Sequence, residues 1–199
     1  MKKIFAMMLS VFILAGSGLN AQKIILKNGS VNALKEVQAL LVQYDYSNLS
    51  VGKYKEEDYI SKKVQDYNKD EAGKGEKWKE SWKADRASRF EPKFELLFNE
   101  NMESPKVDQK TADAKYGITV HTTFIEPGFN VGVTRKPAYI NAEIKFTELG
   151  TGKEIAMITV QNCPGRDAMG FDYDTGYRIE EAYAKLGKSL AAFLKKQMK

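Results

Sequence analysis

The sequence predicts an α+β protein: a single four-stranded mixed sheet, connected strand, helices, three-strand meander, helix, with helices mainly on one face. Three observations predict it. Segments near 37–46, 116–125, 139–147 and 154–160 carry the composition and alternation of strands. The stretch between the first and second follows the 3.6-residue helical period. The C-terminal stretch keeps that period almost to its end.

Each element follows from its residues. Lys23-Ile24-Ile25-Leu26 is a short apolar lead into a turn at Asn28-Gly29, and Ser30 is placed to cap a helical turn through Leu34. In the first strand Leu40, Val42, Tyr44 and Tyr46 share a face, and Ala39 and Leu41 on the other predict that both faces are covered over part of its length. Residues 47–55 read as a loop. Glu56, Glu57 and Asp58 suit the positive end of a helix dipole, Ile60, Val64 and Tyr67 form that helix's stripe, and Gly73 and Gly75 end it. Trp78, Trp82, Arg86 and Phe90 recur at i+4 in a second helix, which Pro92 kinks or ends. Residues 103–114 are polar, contain Pro105 and read as a loop. In the second strand Ile118, Val120, Thr122 and Phe124 share a face. In the third Ile140, Ala142, Ile144 and Phe146 point in, with Asn141, Glu143 and Lys145 out. A tight hairpin at Gly150 and Gly152 leads to a fourth, more uniformly apolar strand. Ile179, Ala182, Tyr183, Leu186, Leu190, Phe193 and Leu194 make the terminal helix amphipathic, with acids early and lysines late.

This order has a geometric consequence. A helical crossover that makes the first two strands parallel sets strands one, two and four running the same way. The loops after them, 47–55, 126–138 and 162–175, then gather at one end of the sheet. Loops held on a rigid scaffold are where function concentrates. Phe129, Arg135, Arg166 and Asp172 are the candidate partner-binding residues there.

The N-terminus reads as a secretory signal peptide, residues 1–21. Lys2 and Lys3 form its positive region, Ile4–Ala15 its apolar core, and Ala21 its cleavage site. The remainder, 22–199, is expected to be one exported domain in the periplasm or at the cell surface, with no transmembrane segment. No cysteine lies near the junction, so no lipid anchor is expected there. Cys163 is the single cysteine, which excludes an intramolecular disulfide. With 29% charged residues of both signs, and two of the net +5 charges lost with the leader, the surface is mildly basic rather than the concentrated stripe of a nucleic-acid binder.

Chemistry-bearing motifs mostly cancel on inspection. Asp174-Thr175-Gly176 has the tripeptide of aspartic proteases, but only one copy is present and a dyad needs two. Indexed as an EF-hand from Asp172, the stretch has Gly176, Tyr177 and Tyr183 where the loop requires an acid or amide, a glycine and a glutamate. A looser cation site at Asp167, Asp172 and Asp174 stays open as an alternative. The plainer reading is that Asp174 or Thr175 caps the terminal helix. The glycine-rich GKGEKWKESW lacks the ending of a phosphate loop. His121 is the single histidine, so a site needing two within one chain is excluded. Nothing marks a carboxylate pair, and no dinucleotide fingerprint is present. No cofactor and no catalytic or metal site is expected.

Two stretches, LLVQYDYSNLSVGKYKEEDYI with GKGEKWKESWKADRASRFEPKFELLFN, and FDYDTGYRIEEAYAKLGKSLAAFLKK, together resemble a group of exported proteins of Bacteroidales gut and oral bacteria. No activity carries over from that group. The strand order of 116–197, with the hairpin KFTELGTGKEIA and a helix after it, is similar to the small α/β domain of envelope assembly factors. These include the curli secretion lipoprotein and the N-terminal domain of the Tol-system propeller protein. That resemblance implies a non-catalytic envelope module with a protein partner. A periplasmic glycan or lipid binder using Trp78, Trp82 or Tyr46 is the alternative.

Overall fold

The structure, a computed structural model, describes residues 21–131, 134–165 and 174–199. The strands are β1 (Lys23–Gly29), β2 (Ala39–Asp45), β3 (Ser50–Val51), β4 (Tyr54–Lys55), β5 (Lys106–Asp108), β6 (Tyr116–Glu126), β7 (Phe129–Val131), β8 (Thr134–Lys136), β9 (Tyr139–Glu148) and β10 (Lys153–Pro164). The helices are α1 (Glu56–Asp70), α2 (Lys74–Asp85), α3 (Glu91–Asn101) and α4 (Thr175–Gln197). The main sheet runs β1-β10-β9-β6-β2-β5, with β3 also on β6 and β4 on β3; β7 and β8 pair separately.

The sheet therefore has eight strands, which corrects the four-stranded expectation. The four expected strands are its middle. The additions are at the edges or are short, and periodicity barely registers over so few residues. The apolar lead at 23–26 continues into β1, antiparallel to β10. The loop expected at 103–114 contains β5, three residues parallel to β2. The loop expected at 47–55 contains the two-residue strands β3 and β4.

Helices do cover one face. Paired inward residues run across the sheet, from Val42 to Ile118 to Phe146 and from Val120 to Ile144 to Ile158. All are buried in one core with Phe94 and Phe98 of α3 and Ile179, Tyr183, Leu186, Leu190 and Leu194 of α4. On the opposite face Gln43, Glu143 and Lys145 are exposed, while Ala39 and Leu41 are only half-buried. Burying one face and wetting the other is what the alternation of β9 encodes.

Pro92 acts as expected, through a particular device. Residues Arg86–Phe90 form one π-helical turn between α2 and α3, and the proline sits in the first turn of α3. A proline lacks the N–H that would close the preceding turn and crowds the carbonyl four residues back, so the chain widens there. Gly73, in the left-handed region, separates α1 from α2, and Gly75 lies inside α2.

A β-bulge in β6 corrects one further residue. The pairing slips between Thr122 and Phe124, so Thr123 is extra and the alternation shifts. Ile125 takes the buried position, and Phe124, expected to point in, is half-buried. The bulge re-aims an aromatic side chain at the end of the sheet.

Candidate functional site

β6 and β10 both run antiparallel to β9, and β2 runs parallel to β6. The loops after β2, β6 and β10 therefore lie at one end, as the strand directions require. Contacts between them bear this out: Gly52 N–H donates to the Ile125 carbonyl (2.9 Å), and Gly165 N–H donates to the Ala138 carbonyl (2.9 Å).

The segment after β6 is held from below. Gly128 has φ +65°, and a Cβ there would lie 2.6 Å from the Lys136 carbonyl oxygen, so only glycine fits. Two buried charges clamp its entrance. Glu126, 7% exposed, accepts from Gly128 N–H (3.2 Å) and from Lys136 Nζ (2.5 Å). Arg178 of α4, 4% exposed, donates from Nε to the Pro127 carbonyl (3.0 Å) and from Nη2 to the Gly128 carbonyl and Thr175 Oγ1. A buried charge is tolerated only when hydrogen-bonded, so these contacts fix the entry of the β7–β8 hairpin relative to the helix.

Between this hairpin and the β3–β4 turn lies an open trough of about 590 Å³. Its walls carry the rings of Tyr54, Tyr59, Phe124, Phe129 and Tyr139 and the ammonium groups of Lys53, Lys63 and Lys136. Phe124 and Tyr139, diagonal neighbours placed on one face by the bulge, stack at 5.4 Å between centroids. Lys53 Nζ sits 5.4 Å from the Tyr54 ring centre, and Lys63 Nζ 5.9 Å and 5.5 Å from those of Tyr59 and Tyr67. Neither lysine has a carboxylate within ion-pair distance among the described residues. Burial pushes the Tyr59 phenol well above its ordinary range, so it stays neutral.

Of the four candidate residues, two lie on the β7–β8 hairpin. Phe129 is 41% exposed and lines the trough. Arg135 is exposed on the same hairpin, one register step from the Phe129–Lys136 pair. Arg166 and Asp172 lie outside the described residues, as does Asp167. Residues 1–20 of the leader lie outside them too. The residues missed were Glu126, Arg178, Lys53 and Lys63. Arg178 had a signal: it stands four residues before Ala182, in line with Leu186 and Leu190, a charge on an apolar stripe.

The other motifs resolve into structure. Asp174 is the N-cap of α4, its Oδ1 accepting from Tyr177 N–H (3.2 Å) and its Oδ2 from Arg89 Nη1 (2.7 Å). Burial would raise its carboxyl, but the Arg89 and backbone hydrogen bonds hold it below the ordinary value. Gly176 lies under the Asp85 carboxylate: a Cβ there would lie 2.2 Å from Asp85 Oδ2, which would have to swing aside. His121 Nε2 donates to the Ser47 carbonyl (2.9 Å), with Glu143 3.6 Å from Nδ1. Cys163 is buried, its thiol pushed up to about 12 by burial and donating to the Ala182 carbonyl. No group of three or more metal-ligating side chains occurs among the described residues, and no described helix is long and apolar enough to cross a membrane.

No family model and no curated protein matches the chain. Solved structures with some likeness include a PelC dodecamer from Paraburkholderia phytofirmans, 7% identical, covering 82% of this chain and 97% of that one at a TM-score of 0.39. Protein XCC0632 from Xanthomonas campestris, of family DUF330, is 10% identical over 80% of this chain and 86% of that one, also at 0.39. Likeness at this level carries nothing about what this chain does.

Proposed function

We propose that this chain is an exported, non-enzymatic protein of the cell envelope that binds a protein partner through the loop end of its sheet. One observation carries the reading. The described loops after β2 and β6 meet at one end of the sheet, and the second, clamped by Glu126 and Arg178, carries Phe129 and Arg135 exposed. A large apolar side chain held out on an anchored hairpin is the composition of an interface anchor, and Arg135, one register step away, adds an exposed cation on the hairpin's other face. The apolar leader with its lysines supports export.

Half of the tryptophan platform of the glycan alternative is closed. Trp82 is buried with its Nε1 spent on Glu56 (2.7 Å), and Trp78 is half-buried among Tyr59, Tyr67 and Trp82. Tyr46 has the Arg86 guanidinium on its ring, 4.2 Å from the centre.

The test is site-specific photo-crosslinking in intact cells. A photoreactive residue replacing Phe129 should yield discrete protein adducts, whereas the same residue replacing Leu96, exposed on α3 outside the trough, should not. Equal adduct patterns at the two positions, or none at either, would overturn the reading.

A further inference from the structure

We infer that the trough receives an acidic, extended segment of the partner protein, an inference that rests on the protein-partner reading and names the partner's chemistry. Charge is the first ground. Glu126, the one acid among the described residues that line the trough, is paired with Lys136. Lys53 and Lys63 hold their ammonium groups on tyrosine rings, with no carboxylate within ion-pair distance among the described residues. A ring face attracts a cation but satisfies its N–H donors less well than a carboxylate does, so both lysines offer donors to an incoming acid.

Backbone pairing is the second ground. Among the described residues β4 pairs only with β3, and β8 only with β7. Tyr54 of β4 and Lys136 of β8 both line the trough. Each hairpin therefore has a strand beside the site with one edge unpaired among the described residues, and such an edge is what an extended polypeptide can match with its own amides. A saccharide has no such repeating donor and acceptor ladder. The third ground is the apolar share of the wall: Phe129 and the Phe124–Tyr139 stack suit the apolar residues of a segment that alternates them with acids.

The experiment measures fluorescence anisotropy of a fluorescein-labelled short peptide alternating glutamate with leucine, against the same peptide with lysine for glutamate. The glutamate peptide should bind at least about tenfold more tightly, and binding should weaken as salt is raised. The double variant Lys53→Glu with Lys63→Glu should lose about tenfold or more while its circular dichroism and melting temperature hold. Equal binding of the two peptides overturns the inference. So does failure of the glutamate peptide to bind where an oligogalacturonate does, which would assign the trough to acidic saccharide. Crosslinking at position 129 keeps the two readings apart: partner adducts that survive the lysine reversals sink the acidic segment alone, and absent adducts sink the partner reading itself.

Discussion

Two aromatic clusters meet at Tyr59, and they behave oppositely. On one side Tyr59 packs with Trp78 and Trp82 between α1 and α2, at 5.9 and 5.3 Å. On the other it lines the trough with Tyr54, Phe124, Phe129 and Tyr139. Both are rich in rings, and both carry lysines on ring faces. They differ in how their polar tips and cations are used. In the helical cluster Trp82 Nε1 and the Arg86 guanidinium converge on the Glu56 carboxylate. In the trough Lys53 and Lys63 have no carboxylate within ion-pair distance among the described residues, and Phe129 is exposed. Aromatic density by itself does not distinguish the two clusters; in the closed one the buried tryptophan N–H and the guanidinium have both found a carboxylate.

Five measurements can break or sharpen that contrast. Trp82→Ala should have the largest effect, about 3–5 kcal/mol in urea unfolding, because a buried ring and its hydrogen bond are lost together. Trp78→Ala, at a half-buried position, should cost clearly less, and equal losses would contradict the assignment of Trp82 as the closed end of the cluster. Arg178→Met should cost about 2–3 kcal/mol, since charge-assisted bonds to buried carbonyls are removed. Its sharper readout is hydrogen exchange: amides of 126–138 should lose protection while those of β9 keep it, and unchanged exchange would show that the clamp holds nothing.

Gly128→Ala should cost about 1–2 kcal/mol for the left-handed conformation alone, more if the Lys136 carbonyl cannot yield. Thermal melts together with partner crosslinking would show whether the hairpin still presents Phe129. Asp174→Ala should remove about 1 kcal/mol with the lost cap. The sign of its pH dependence is set by the depressed carboxyl: the contribution is complete above about pH 4 and fades as pH falls through the lower folded value. The gap between parent and variant should therefore close in acid, and a gap that widens would be incompatible with the Arg89 pairing. Phe129→Ser should change stability least, within about 0.5 kcal/mol, while abolishing capture of the partner. A large stability loss there would move Phe129 from the surface to the core.

Much of the fold was legible because its middle is strongly patterned. Alternation at Ile140, Ala142, Ile144 and Phe146 and the stripe from Ile179 to Leu194 encode buried faces directly, and the directions of β2, β6 and β10 placed the loop end. Phe129 and Arg135 were legible as loop residues of that end. The short strands β3, β4 and β5 were not, because two or three residues carry no period. Arg178 was legible only as a charge on the terminal helix's apolar stripe, and Glu126 not at all, because the role of a buried charge is set by distant partners, here the Pro127 and Gly128 carbonyls and Lys136.

The sequence by itself determined the α+β class, the sheet's inward face, the terminal helix and its start near Asp174, since each depends on residues close along the chain. Only the tertiary structure decided the sheet's width, the bulge that turns Phe124, the role of Gly176 beside Asp85, and the trough between the two hairpins. Those features are set by contacts between segments far apart in sequence, where pairing register and steric room, rather than local periodicity, choose the outcome.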